Sequence, residues 1–135
     1  MHALSTVLPE GVQVPLCMIG LRPFIHTKVN RPIGKETENE LSKLLGQAIS
    51  LIPGKSESWL MLQFEENCHM YFRGDGEKPM AFVNVKIFGA ASPAAYEKLT
   101  AEITKILHEK LSIAPDCIYV QYDEIDHWGW NGSNF

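Results

Sequence analysis

A strand–helix–strand pattern occurs twice in this chain, and it constrains the fold more than any other feature. Phe24–Val29 mixes β-branched and aromatic residues and runs into breaker-rich residues 30–34, which indicates a strand and then a loop. In residues 35–52, apolar side chains recur at helical spacing, which predicts a helix with one buried stripe. Pro53-Gly54 ends this helix, and residues 59–64 have the composition of a second strand.

The second half of the chain repeats the plan. Residues 80–88 predict a strand, and Ser92 is a favourable N-cap for a helix over Pro93–Leu111. Residues 117–122 then predict the last strand of the pattern. Between the halves, residues 68–72 have the composition of one more short strand.

This order predicts an α/β fold in which two β-α-β units form a four-stranded mixed sheet with both helices on one face. The basis is that a helix between two strands favours parallel pairing through a right-handed crossover. The strands at residues 59–62 and 80–83 are apolar at consecutive positions, so both sheet faces are expected to need cover. A homo-oligomer would cover the second face, and the alternative is that the chain termini fold over it.

Size, charge and cysteine content restrict the function classes. A chain of 135 residues is the size of one domain, and a net charge of -4 argues against nucleic-acid binding. No apolar stretch is long enough to span a membrane. The cysteines are Cys17, Cys68 and Cys117, an odd number without metal-site spacing, which favours reduced thiols in a cytoplasmic protein.

Several short segments resemble one family. They are Pro23-Phe24-Ile25, Gly54-Lys55, Phe72-Arg73-Gly74, Pro79-Met80-Ala81-Phe82, Gly89, Ile118-Tyr119-Val120 and the C-terminal residues 128–135. The ending, Gly-Trp-Asn-Gly-Ser-x-Phe, is the most specific of them. Through these segments, residues 23–135 resemble the macrophage migration inhibitory factor family of the tautomerase superfamily.

The resemblance implies an activity and an assembly. It implies a homotrimer whose sheets surround a solvent channel. It also implies an isomerase that tautomerises small aromatic keto acids such as phenylpyruvate and isomerises dopachrome derivatives, with no cofactor and no metal. Some members are cytokine-like signals that bind a protein receptor after export without a signal peptide, so leaderless secretion is the alternative to a cytoplasmic location.

The resemblance assigns two catalytic positions, Pro23 and Lys55. In the family, the base is the secondary amine of an N-terminal proline, and Pro23 matches it here. An α-amino group has a pKa near about 8, and an apolar pocket or a nearby cation lowers that pKa, so the amine can accept a proton from carbon near neutral pH. Lys55 matches the family lysine that supplies this cation and binds a substrate carboxylate or carbonyl oxygen.

Four further positions match substrate-binding residues. Ile87 and Phe88 match the strand whose backbone contacts the substrate. Tyr119 and Gln121 match residues that a neighbouring subunit contributes, although the family has asparagine in place of Gln121. Trp128 stands where a smaller apolar residue is common, which narrows the expected pocket.

The first 22 residues depart from the family pattern. Pro23 follows Arg22 through a peptide bond, and an amide nitrogen cannot act as a base. We therefore expect residues 1–22 to be a leader, disordered or an artefact of the assigned start, before a domain at residues 23–135. Three explanations stay open: the start is misassigned, a protease exposes Pro23, or the protein is a non-catalytic variant whose leader blocks the pocket.

Ordinary structural roles compete with several of these assignments. Lys55 could be a solvated lysine near a helix end, and Tyr119 a strand aromatic in the core. The acidic residues at 123, 124 and 126 indicate a solvated loop. Trp128 and Trp130 suggest either a ligand-stacking loop or, as we favour from sequence, a terminal strand packed across a neighbouring subunit.

Overall fold

A computed structural model describes residues 22–134 together with the backbone of residues 5–8 and 12–15. In chain order its elements are β1 (Ser5–Leu8), β2 (Val12–Pro15), β3 (Phe24–Val29), α1 (Lys35–Ala48), β4 (Met61–Glu65), β5 (Ala81–Phe88), α2 (Pro93–Leu111), β6 (Ile118–Ile125), β7 (Gly129–Trp130) and β8 (Ser133–Asn134). Short 3-10 helices lie at Ile49–Leu51, Glu57–Trp59 and Pro115–Cys117.

The main sheet has four strands in the order β4-β3-β5-β6. Strand β3 is parallel to β4, and β5 is parallel to β6, so each half of the chain is a β-α-β unit. The two units meet where β3 pairs antiparallel with β5, with Phe24 opposite Lys86 and Val29 opposite Ala81. The predicted four-stranded mixed sheet is therefore confirmed.

The core lies between one face of this sheet and the two helices. Side chains alternate across the sheet along each strand, so every second residue of β3 and β5 points to the helices. The core side chains with no exposed surface include Ile25, Val29, Val83, Val85 and Ile87 from the sheet, Leu41 and Leu45 from α1, and Leu99, Ile103 and Leu107 from α2. Both helical stripes predicted from the sequence face this core.

The other face of the sheet carries a row of polar side chains. Asn84 donates to Gln121 at 2.9 Å and to Asp123 at 3.1 Å, and Lys86 donates to Asp123 at 2.9 Å. From the apolar run at residues 80–83 we expected this face to be apolar. These polar side chains make it less apolar than that. The reason is that Met80 precedes β5, while alternation turns two of the other three side chains into the core.

The first helix is shorter than residues 35–52. It ends at Ala48, and a 3-10 turn follows in which Ile52 N donates to Ile49 O at 3.1 Å. Ile52 itself is extended because a residue before proline is disfavoured in the helical region. The second strand then starts at Met61 rather than residue 59, since Trp59 closes the 3-10 turn of Glu57–Trp59.

Two other sequence predictions were wrong. Residues 68–72 do not form a strand: Cys68 N donates to Val29 O at 2.9 Å, and a single bridge joins Phe72 to Asp75. The last long strand continues to Ile125 because β5 offers partners as far as Phe88, opposite Ile125. The acidic run predicted as a loop thus lies largely within β6.

The leader falls mostly outside the described residues. Its described backbone is an antiparallel pair of strands, β1 with β2, in which Ser5 lies opposite Pro15. The division at residue 22 stays a prediction. In the part of the chain that the structure describes, no helix is long and apolar enough to cross a membrane.

Replacing Ser92 tests the N-cap of α2. The Ser92 hydroxyl accepts a hydrogen bond from Ala95 N at 3.1 Å. We expect Ser92→Ala to lower the free energy of unfolding by about 1 kcal/mol in urea denaturation, and Ser92→Asp to keep most of it. Ser50→Ala, which removes an exposed hydroxyl bonded to Gln47 O, is the matched control. An equal loss in both alanine variants would contradict the capping role.

Candidate active site

Pro23 lies just before β3, at the wall of a cavity. Its carbonyl accepts a hydrogen bond from Met61 N at 3.1 Å, which holds it to the start of β4. Continuing the β3–β5 register by one residue places Pro23 opposite Ile87. The cavity has a volume of about 590 Å³ and is lined by Arg22, Pro23, Phe24, Ser58, Trp59, Leu60, Met61, Lys86, Trp128, Gly129 and Trp130. Its walls are mostly apolar and aromatic.

Lys55 is a buried lysine, which excludes the solvated role considered from sequence. Gly54 has φ +83°, a left-handed conformation that glycine adopts without strain, and the turn directs the chain back toward the sheet. Lys55 is only 7% exposed, and its Nζ donates to the Phe88 carbonyl at 3.3 Å. Burial lowers the pKa of Lys55 to about 8.

Pro23 and Lys55 both lie near the end of β5. Pro23 lies opposite Ile87 in the register, and Lys55 binds the carbonyl of Phe88. The Ile87 side chain points into the core, and the Phe88 side chain is buried on the other side of the strand, so the groups that face Pro23 and Lys55 are backbone groups. Four of the six predicted site residues therefore lie at one end of the sheet.

Tyr119 and Gln121 lie elsewhere in the same chain. Tyr119 pairs with Phe82, which is five residues from Ile87 along β5, or about 16 Å at the usual rise of a strand. Tyr119 is 58% exposed and lines a separate apolar cavity of about 230 Å³ with Phe72 and Phe82. Gln121 accepts a hydrogen bond from Asn84. A single chain does not bring these residues to Pro23.

Sequence reasoning missed a cluster of Arg22, Trp59 and Trp130. The Arg22 guanidinium lies 3.7 Å from the centroid of the Trp59 ring and 4.7 Å from that of Trp130. The two indole rings meet edge to face at 5.1 Å. Arg22 is only 4% exposed, and burial lowers its pKa. Trp130 thus contacts its own chain. Because Trp59 and Trp130 are 71 residues apart, no local sequence pattern predicts this contact.

The described residues offer no metal centre. Among residues 22–134, no group of three His, Cys, Asp or Glu side chains is arranged to hold a metal ion. Cys68 and Cys117 carry free thiols, and Cys117 is buried. The chemistry available at the Pro23 cavity is that of amines, backbone groups and aromatic rings.

A family model described as macrophage migration inhibitory factor matches residues 22–135. This chain belongs to that family. It is 27% identical to the macrophage migration inhibitory factor of Meriones unguiculatus over 115 residues, which cover 84% of this chain and 98% of the relative.

Solved structures of the family agree with the fold. MIF2 of Leishmania major has a TM-score of 0.80 and 29% identity, with 86% of this chain and 99% of that chain covered. A homologue from Prochlorococcus marinus has a TM-score of 0.75 and 27% identity, with 83% and 98% covered. The family membership and the fold expected from the sequence are therefore confirmed.

The lowered pKa of Lys55 has a predictable effect on stability. Between about pH 8 and pH 10.5, the unfolded chain holds more protons on this lysine than the folded chain, so raising the pH through this window stabilises the fold. Below about pH 8, both states are protonated, and this contribution stays constant. We expect the free energy of unfolding of the wild type, minus that of Lys55→Met, to increase as the pH is raised from about 8 to 10.5.

The measurement is urea denaturation of both proteins from pH 7 to pH 10.5. Taking the difference between them cancels every other titrating group. Lys35→Met, at a lysine whose side chain is 81% exposed, gives the baseline for removing one surface charge. A wild-type minus Lys55→Met difference that stays flat, or that falls with pH, would show that Lys55 is not a buried ammonium.

Proposed function

We propose that this protein is a cofactor-independent keto–enol tautomerase in the form whose Pro23 amine is free. The observation that carries the proposal is that two buried residues lie at one end of the sheet, Pro23 opposite Ile87 and Lys55 bonded to the Phe88 carbonyl. Beside them lies a cavity large enough for a small aromatic acid. Membership of the family supports a tautomerase-type or cytokine-like role, and this geometry favours the former.

The proposed mechanism uses Pro23 as base and then as acid. A free prolyl nitrogen in this apolar cavity, at the same end of the sheet as the cation Lys55, would have its pKa lowered and be neutral near pH 7. It accepts a proton from the carbon next to the substrate carbonyl, and the carbonyl oxygen develops negative charge. Lys55 stabilises this charge, and the protonated amine returns the proton to another atom of the substrate.

The proposed substrate is a small aromatic keto acid of the phenylpyruvate or dopachrome type. Aromatic and aliphatic walls suit the ring, since Phe24, Leu60 and Trp128 all line the cavity. The carboxylate would lie toward Lys55 and Lys86. Ile87 and Phe88 would contribute backbone groups, because both side chains are buried, that of Ile87 in the core.

The proposed assembly is a homotrimer. Tyr119 and Gln121 lie too far along the sheet to contact a ligand beside Pro23 of the same chain. Tyr119 is largely exposed, as is Met61 at 68%, so apolar surface is available for a neighbouring subunit to cover. In a trimer, Tyr119 and Gln121 would line the pocket of the next subunit.

A second candidate is a non-catalytic ligand-binding or cytokine-like protein with a protein receptor. The observation that favours it is Arg22, which is joined to Pro23 by a peptide bond and lines the cavity. In a chain that keeps Arg22, Pro23 has no amine. A cytoplasmic location, with leaderless secretion as the alternative, stays a prediction for both candidates.

Activity of a chain that begins at Pro23 tests the proposal. We expect this chain to tautomerise phenylpyruvate. We expect Pro23→Gly to lower kcat/KM by about 100-fold, because a flexible primary amine replaces the fixed secondary amine of the proline ring. We expect Lys55→Ala to lower kcat/KM by about tenfold, through loss of charge stabilisation. The assay follows the enol form by ultraviolet absorbance, with the chain start verified by intact mass.

Lys35→Ala is the matched control, since it removes an exposed lysine that does not line the Pro23 cavity. The full chain, in which Pro23 is an amide, should be inactive. Equal activity of the full chain and the chain starting at Pro23 would exclude the amine mechanism.

The assembly is tested by light scattering coupled to size-exclusion chromatography. We expect a particle of three times the 15.2 kDa chain mass. Tyr119→Asp and Met61→Asp, which put charge on exposed apolar positions, should shift this mass toward one chain. Lys43→Asp, on the exposed side of α1 and away from the open face of the sheet, controls for charge alone. A wild-type mass of one chain would contradict the trimer.

A further inference from the structure

The side chain of Arg22 is held in a cleft between two tryptophans. Its guanidinium lies over the rings of Trp59 and Trp130 at centroid distances of 3.7 and 4.7 Å. The rings meet edge to face and the guanidinium packs in the corner that they form; we call these two residues and that corner the tryptophan cleft. The rings are nearly perpendicular, at 89°, so the cleft offers a cation two aromatic surfaces at once.

This cleft is built for a cation rather than for any apolar group. Burying a charged side chain carries a desolvation penalty, and Arg22 is 4% exposed. The negative faces of aromatic rings attract cations, tryptophan most strongly, and guanidinium is the more weakly hydrated of the two common side-chain cations. Two indoles on one guanidinium are therefore a recognition arrangement for such a group.

The cleft opens into the Pro23 cavity. Arg22, Pro23, Trp59 and Trp130 all line the same space of about 590 Å³. The Arg22 carbonyl carbon is bonded to the Pro23 nitrogen. The side chain of Arg22 therefore begins close to that nitrogen and ends in the cleft. A ligand that touched Pro23 could follow the same path if Arg22 were absent.

We propose that the tryptophan cleft is a cation-binding subsite, filled by Arg22 in the full chain and open to an external ligand when Arg22 is removed. The ligand class is a guanidinium or quaternary ammonium group on a short apolar chain. Arg22 serves as the intramolecular occupant and keeps the subsite closed. The identity of the subsite does not depend on catalysis.

The subsite also bears on substrate choice, and this extension rests on the proposed function. Lys55 and Lys86 lie on the sheet side of the same region, where they attract a carboxylate. A substrate with a carboxylate at one end and a cation at the other would complement both ends. Keto acids with a cationic tail would then be preferred to phenylpyruvate.

Binding of N-acetylargininamide to the full chain tests the subsite without turnover. We expect Arg22→Ala to bind this probe about tenfold more tightly than the wild type, whose cleft is occupied. We expect Arg22→Ala/Trp59→Leu to lose that gain, and Arg22→Ala/Trp59→Phe to retain part of it. Tryptophan fluorescence and isothermal titration calorimetry give the two readouts.

The neutral isostere N-acetylcitrullinamide separates charge from shape. We expect it to bind Arg22→Ala about tenfold more weakly than the arginine compound. Equal binding of the two, or stronger binding of N-acetylphenylalaninamide, would identify an apolar or aromatic subsite and overturn the proposal. Because Pro23 stays an amide in these proteins, failure of the tautomerase proposal would leave this result unchanged.

Arg73→Ala is the matched control. Arg73 also lies over an aromatic ring, at 4.8 Å from Phe72, but outside the cavity, so its removal should not create binding. Arg22→Gln keeps the stem of the side chain and removes the charge, and it replaces Arg22→Ala if the alanine variant does not fold by circular dichroism. A folded Arg22 variant that binds no more probe than the wild type would overturn the proposal.

Discussion

The antiparallel pairing of β3 with β5 is the constraint on which the rest of this structure depends. It joins two β-α-β units into one sheet and sets the residue before β3 opposite the last residues of β5. Pro23 therefore lies opposite Ile87, and Lys55 reaches the Phe88 carbonyl from the turn after α1. A slip of one residue in this register would turn the core side chains of β3 to the open face.

Charge at this end of the sheet is concentrated in buried cations. Lys55 is held by a backbone carbonyl, and Arg22 by two aromatic faces. Burial lowers the pKa of both side chains, to about 8 for Lys55. This electrostatic setting would lower the pKa of a free Pro23 amine, whereas in a chain that keeps Arg22 the Pro23 nitrogen is an amide.

Much of the fold could be predicted from the sequence because it depends on local periodicity. The apolar stripes of both helices, the cap at Ser92 and the breakers around Gly54 are local signals, and the family segments located Pro23 and Lys55. The end of α1 was missed because the residue before Pro53 leaves the helix, and the length of β6 depends on partners in β5. The tryptophan cleft joins residues at positions 22, 59 and 130, and only the fold brings them together.

The mature N-terminus decides between the catalytic and the blocked site. The most direct test is intact-mass determination and N-terminal sequencing of the protein purified from its native source. We expect a chain that begins at Pro23, with a free secondary amine and an unoccupied tryptophan cleft. A chain that keeps Arg22 bonded to Pro23 would contradict the amine mechanism.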